Sequence, residues 1–280
     1  MNRIIARINK IANDLVEDQV IFIQKCEKSG KFDFMQIGEI RKSFKTRLTI
    51  EQIKLYADSK FTWDQMWMIR TGFENGLTME QVKIYADPNF NYKQMKEIKE
   101  GFLNGLTMDQ VKLYANSKLD IEQMKEIKEN FEKGLTIEQT KLCLNPKFNK
   151  DQSDILIESF EEGLTIEQVK TFANPNFRNN QMMIIKESFK EGLTIDQVKI
   201  FADPKFNADQ MGTIKRIIEE GLTMDQVKFL ANPKFRRDQM WQIREGFIRG
   251  LTIEEVKTYA DPNLDYKQMK EKMKKLLKNK

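Results

Sequence analysis

A seven-residue junction, Gly76-Leu77-Thr78-Met79-Glu80-Gln81-Val82, returns every 29 residues along the chain. Its threonine recurs at Thr49, Thr78, Thr107, Thr136, Thr165, Thr194, Thr223 and Thr252. Self-similarity at a period between about 20 and 50 residues is the mark of a solenoid, in which each unit buries its apolar face only against its neighbours. The junction also states its own local structure. Gly76 and its copies suit the left-handed position just past a helix end, where a side chain is strained. Thr78 then caps the next helix and Gln81 returns the bond, a capping box that satisfies two orphan backbone N–H groups. Leu77 and Val82 flank the cap as a hydrophobic staple.

Within a unit the spacing predicts a short helix of about nine residues, Thr78 to Ala86, burying Met79, Val82, Tyr85 and Ala86 at intervals of three and four. An Asp-Pro or Asn-Pro turn ends it. All six prolines (Pro88, Pro146, Pro175, Pro204, Pro233, Pro262) stand at this phase, with Ser59 and Ser117 in the two remaining units. Proline cannot continue a helix, and Asp or Asn accepts local backbone bonds. A second, longer helix follows Phe90, capped by Asn91 and Gln94 and burying Met95, Ile98 and Phe102. The expected fold is all-α: an α-solenoid of about nine two-helix repeats with an N-terminal helical cap. Residues 1–47 read as a cap helix and a degenerate first repeat. Residues 48–280 read as eight regular repeats of one continuous elongated domain, the last serving as the C-terminal cap. Ile4, Ile5, Ile8, Ile11, Ala12 and Leu15 recur at helical spacing and are expected to cover the first repeat. Cys26 and Cys143 lie in different repeats and are read as core filler.

Composition removes several function classes. The net charge of +5 equals the charge of Lys270–Lys280, six lysines against Glu271, so the remaining chain is neutral and lacks the evenly basic character of a nucleic-acid groove. Apolar runs fall short of the roughly 18 residues a membrane span needs. Met1–Arg7 lacks the apolar core of a signal peptide, and a cytoplasmic monomer without membrane contact is expected. The sequence contains no histidine, which removes the commonest general base and zinc ligand, and its glycines sit at helix ends rather than in a phosphate loop. Asp87-Pro88-Asn89-Phe90-Asn91 imitates the opening of an EF-hand loop, but Tyr92 stands where Gly is needed and Ile98 where the bidentate Glu is needed. The expectation is a chain that is no enzyme and takes no cofactor or metal.

Two features could carry binding. The first is a stripe on the longer helix that changes from copy to copy. Trp63, Trp67, Arg70 and Glu74 become Tyr92, Lys96, Lys99 and Leu103 in the next unit, and Arg237, Trp241, Arg244 and Ile248 near the end, with Met183 between. Trp, Tyr and Arg are enriched at protein–protein hot spots, and Met adapts to varied contacts. The competing reading packs the tryptophan rings between repeats as oversized core. The second feature is a lysine ladder on the shorter helix: Lys54, Lys83, Lys112, Lys141, Lys170, Lys199, Lys228 and Lys257. An acidic residue three positions earlier, such as Glu80 before Lys83, predicts solvated intrahelical pairs. Left unpaired, Lys83, Lys112, Lys141, Lys170 and Lys199 would instead track an anion.

The Gly-Leu-Thr-x-Glu-Gln-Val junction, the Asp/Asn-Pro turn and the Phe-x(3)-Gln-Met helix start together resemble short helical repeats of bacterial proteins, often carried on mobile elements. The resemblance spans Leu15 to Lys280. It implies a helical repeat array without an assigned reaction, in a setting where binding and blocking a host protein would be useful. Arg178 and Arg236 depart from the pattern, standing where a capping Asn, Asp or Thr belongs. The function expected is a non-catalytic scaffold that binds another protein; the alternative is RNA or single-stranded DNA in a helical-repeat groove.

Overall fold

The structure, a computed structural model, describes residues 17–46 and 48–278, so the opening helix expected over Ile4 to Leu15 lies outside the described residues. Among the described residues every regular element is a helix. The chain groups into two compact units, Met1–Ile137 and Glu138–Lys280.

In the first unit a helix over residues 17–28 (α1) precedes α2 (Phe34–Lys42) and a 3-10 turn, Ser43–Thr46. Short and long helices then alternate: α3 (Ile50–Tyr56), α4 (Trp63–Glu74), α5 (Met79–Tyr85), α6 (Tyr92–Leu103), α7 (Met108–Tyr114) and α8 (Ile121–Glu132). The long members α2, α4, α6 and α8 pack side by side in chain order, and each short helix packs on a long helix next to it in the chain. After α9 (Ile137–Cys143), the second unit repeats the pattern. It runs through α10 (Lys150–Glu161), α11 (Ile166–Lys170), α12 (Asn179–Lys190), α13 (Ile195–Val198), α14 (Ala208–Glu219), α15 (Met224–Leu230), α16 (Arg237–Ile248), α17 (Ile253–Lys257) and α18 (Tyr266–Lys278). Successive contact between identical elements is the solenoid arrangement that the period predicts.

The junction works as its chemistry demands. Gly76 and Gly105 both hold φ +87°, and their Cβ positions are open, so backbone conformation alone selects glycine there. The Thr78 hydroxyl accepts from Gln81 N–H at 3.3 Å while the Gln81 carbonyl oxygen accepts from Thr78 N–H at 2.9 Å. Leu77 and Val82 are both buried. In the turn, Asp87 Oδ1 accepts from the backbone of Asn89 at 2.9 Å, the local bond expected of that residue type. Arg178 and Arg236 have no acceptor to offer and lose the forward half of the box. Their backbone N–H groups keep the return half, donating to Gln181 and Gln239 at 2.6 and 2.7 Å.

Two packing devices hold one repeat to the next. The first is the glutamine of the long helix, which does more than close a capping box. In the second unit Gln210 Nε2 reaches the next repeat and donates to the carbonyls of Pro233 (2.9 Å) and Phe235 (2.7 Å). Gln36, Gln65, Gln94, Gln152 and Gln239 donate the same pair of hydrogen bonds to carbonyls 23 and 25 residues ahead. The second device pairs sizes across the junction between a long helix and the short helix that follows it. Gly72, Gly101 and Gly246 lie against the buried phenols of Tyr85, Tyr114 and Tyr259. Where the short helix carries Phe172 or Phe201 instead, the glycine position holds Ser159 or Ser188, and Leu230 goes with Ile217.

Burial raises the phenol pKa of Tyr85, and its hydroxyl has no hydrogen-bond partner among the described residues. Tyr114, by contrast, donates to the Glu97 carbonyl at 3.3 Å. An unsatisfied buried hydroxyl offsets much of what its ring contributes. Tyr85→Phe is therefore expected to leave stability within about 0.5 kcal/mol of the parent or to raise it, and Tyr114→Phe to cost about 1 kcal/mol. Urea midpoints of the two variants check this ordering.

Candidate partner-binding face

The first residue of a long helix stands outside the core, which takes its apolar residue from the turn just before, as with Phe61 before Trp63 and Phe90 before Tyr92. In the first unit that position holds Phe34, Trp63, Tyr92 and the half-buried Ile121. Phe34 is 83% exposed, Trp63 43%, Tyr92 41%, and Trp67 one turn further along α4 is 40% exposed. These rings are not core, and the packed-between-repeats reading of Trp63 and Trp67 is set aside on that exposure. Phe34 was not among the residues the sequence pointed to, although it precedes Trp63 by one period.

Beside the aromatics runs a row of basic side chains at one phase of the long helices: Arg41, Arg70, Lys99 and Lys128, then Lys186, Lys215 and Arg244 in the second unit, with Ile157 and Met273 at the same phase of α10 and α18. They bridge repeats. Arg70 corrects the sequence expectation: it is buried, and its guanidinium binds Glu39 of the preceding helix at 3.1 Å and Glu74 on its own, so it is no free contact. Lys128 binds Glu97 at 2.5 Å, and Lys186 binds Glu158 and Glu162, each at 3.1 Å. Burial alone would lower the Lys128 pKa, but the hydrogen bond and charge of Glu97, with Glu100 and Glu132, outweigh it and hold the pKa above its usual value. Lys96 stays exposed, 3.6 Å from Glu100.

In the second unit Trp241 is half-buried between two guanidinium groups, Arg216 at 5.1 Å and Arg244 at 5.5 Å from its ring centre. Both contacts are cation–π in geometry. Arg244 is half-buried too and donates to Glu220 at 2.6 Å, so like Arg70 it is partly committed within the fold. Arg216 stands where neighbouring long helices carry Glu158, Glu187 and Glu245. Met183 is 54% exposed and Arg237 is exposed.

The lysine ladder is exposed at every rung. Its expected pairing occurs at Lys257, which meets Glu254 at 2.7 Å, whereas Lys170 reaches back to Glu138 at 2.9 Å in place of Glu167. Lys54, Lys83, Lys112, Lys141, Lys199 and Lys228 have no carboxylate within 4 Å among the described residues. Lys199 and Lys228 line an open groove with Asp196 and Met224.

Cys26 and Cys143 are both buried, as expected of core filler. On α18 Lys272, in the register of the buried Ile243, is exposed with Lys274, Lys275 and Lys278, while Met269 and Met273 supply the buried side. Among the described residues no helix is long and apolar enough to cross a membrane. No protein-family model matches the chain, and no curated protein matches it.

Proposed function

We propose that this chain is a non-catalytic scaffold that binds another protein through the exposed face of its long helices. The observation that supports this is the exposure of Phe34, Trp63, Trp67 and Tyr92 on adjacent helices whose core positions are already filled by Met66, Ile69, Met95 and Ile98. A solenoid does not need aromatics there: the same first-helix position holds Lys150, Asn179 and Ala208 in other repeats. Large, rigid, amphipathic rings held in water contribute most when a partner covers them. The resemblance to repeats of mobile-element proteins fits a cytoplasmic, monomeric binder that blocks a host protein. Trp67→Ala is expected to weaken the partner complex by about 2 kcal/mol or more while circular dichroism stays unchanged. Unaltered affinity on titration calorimetry would remove Trp67 from the interface.

A second reading, RNA or single-stranded DNA, is favoured by the unpaired ladder. Rungs one repeat apart are separated by about 10 Å, near one Debye length in physiological salt, so their fields add weakly. For a protein partner, affinity should change little between low and moderate salt. For nucleic acid it should fall linearly with the logarithm of salt, and the triple variant Lys54→Gln, Lys83→Gln, Lys112→Gln should flatten that slope.

A further inference from the structure

One member of the basic row lacks the partner that the others have. Arg41, Arg70, Lys128, Lys186, Lys215 and Arg244 each hold a carboxylate within 4 Å. Lys99 holds none among the described residues, although it is only 8% exposed. Its ammonium donates one hydrogen bond, to the Thr71 hydroxyl at 3.1 Å, and lies 5.6 Å from the centre of the Trp67 ring. Two of its three N–H donors remain. Burial lowers its pKa, with Glu100 and Glu74 opposing and Lys96 adding to the fall.

The chain itself displays what such a position binds. The inter-repeat partner lies 31 residues earlier for Arg70 (Glu39) and Lys128 (Glu97), 28 earlier for Lys186 (Glu158), and 24 earlier for Arg244 (Glu220). Counted back from Lys99, those three positions are Met68, Thr71 and Asn75, all uncharged. The position without an internal carboxylate is also the one beneath the exposed Trp67 ring, on the two helices that carry Trp63 and Tyr92.

We propose that Lys99, with Thr71 and the Trp67 ring, receives one carboxylate of a partner polypeptide, so that this face recognises an acidic side chain set among apolar residues. This rests on the protein-binding reading above and names the chemistry of the partner. A buried cation contributes most when a carboxylate completes it, as its neighbours in the row show. A polyanion is disfavoured, because Glu74 and Glu100 stand beside the site and the adjacent cations Arg70 and Lys128 are already paired.

Panning the full chain against a random dodecapeptide phage library, then measuring synthetic copies of the enriched peptides, tests this. The expected peptides carry Asp or Glu beside aliphatic or aromatic residues. Replacing that acid by its amide, or Lys99→Met in the protein, should each weaken binding about 30-fold, the loss typical of a central contact. Thr71→Glu places a carboxylate where Glu158 stands relative to Lys186, completing the row internally; it should raise the unfolding midpoint and abolish the same binding. Peptides that need Trp67 but ignore Lys99→Met, Thr71→Glu and the acid-to-amide change overturn the carboxylate site and leave the protein-binding reading intact. If no peptide is enriched, or none depends on Trp67, while a 20-nucleotide oligothymidylate binds, both fall.

Discussion

Replacing Gly101 with alanine is expected to cost about 3 kcal/mol of stability, the upper end of what overpacking a core exacts. A Cβ built at Gly101 meets the Tyr114 hydroxyl oxygen at 1.9 Å and the ring carbon behind it at 3.2 Å. The phenol cannot swing away: it is fully buried, and its hydroxyl donates to the Glu97 carbonyl. The second unit indicates how the loss can be recovered, because there Ser159 and Ser188 occupy the glycine position opposite a register filled by Phe172 and Phe201. Gly101→Ser alone should be nearly as harmful as Gly101→Ala. Combined with Tyr114→Phe it should regain about 1–2 kcal/mol through a coupling that neither single change contains. Chemical denaturation of the four proteins measures the cycle. Additive single and double variants would mean that the two positions do not share one space.

This pairing shows what was legible in the chain and what was not. Helix positions, caps and stops follow from backbone needs that each residue states by itself: Gly76 for a positive φ, Thr78 for an orphan N–H, Pro88 for a helix that must end. Those were readable one repeat at a time. The Gly/Tyr, Ser/Phe and Ile/Leu match requires two columns to be read together, 13 residues apart, across eight copies, of which Ser43/Tyr56 and Asn130/Cys143 depart from it. It is visible in the sequence only once the structure indicates which columns touch. The second bond of each long-helix glutamine is less legible still. Its partners are backbone carbonyls, which every residue possesses, so nothing in the side-chain pattern at Pro233 or Phe235 advertises them.

The candidate face was half legible for a related reason. Trp63, Trp67, Tyr92 and Met183 of the variable stripe are exposed, since periodicity separates core phases from the rest. Charge is harder to place. Arg70 and the ladder lysines occupy equally regular phases, yet Arg70 is buried in an inter-repeat pair and most ladder lysines stand unpaired. Pairing in a solenoid is decided by neighbours about one period away, and a reading confined to spacings of three and four along one helix misses it. Lys99 became distinctive only when its three potential partners in the preceding repeat were found to be Met68, Thr71 and Asn75.

Gln210→Ala is likewise expected to cost about 3 kcal/mol, because one side chain satisfies three backbone groups. Its carbonyl oxygen accepts from Asn207 N–H at 2.8 Å, and its amide donates to Pro233 and Phe235 in the next repeat. The bond to Phe235 is buried, so truncation leaves a carbonyl without water or protein to replace it. Gln226 is the control. It closes the capping box of a short helix through Thr223 at 3.0 Å in an exposed setting, and Gln226→Ala should cost only about 1 kcal/mol. Gln210→Glu sharpens the test, since the carboxylate keeps the acceptor and replaces the donor with charge facing two carbonyl oxygens. Such a carboxyl has its pKa raised in the folded state, where it binds a proton more readily than in the unfolded chain. Stability of that variant must therefore fall as pH rises through the folded pKa, and recover on acidification as the protonated group donates to one carbonyl. At neutral pH Gln210→Glu should be less stable than Gln210→Ala, and the gap should close toward pH 4, the ordinary carboxyl range. Equal losses for Gln210→Ala and Gln226→Ala, with no pH dependence in Gln210→Glu beyond that of the parent, would mean that repeats are held by apolar packing alone.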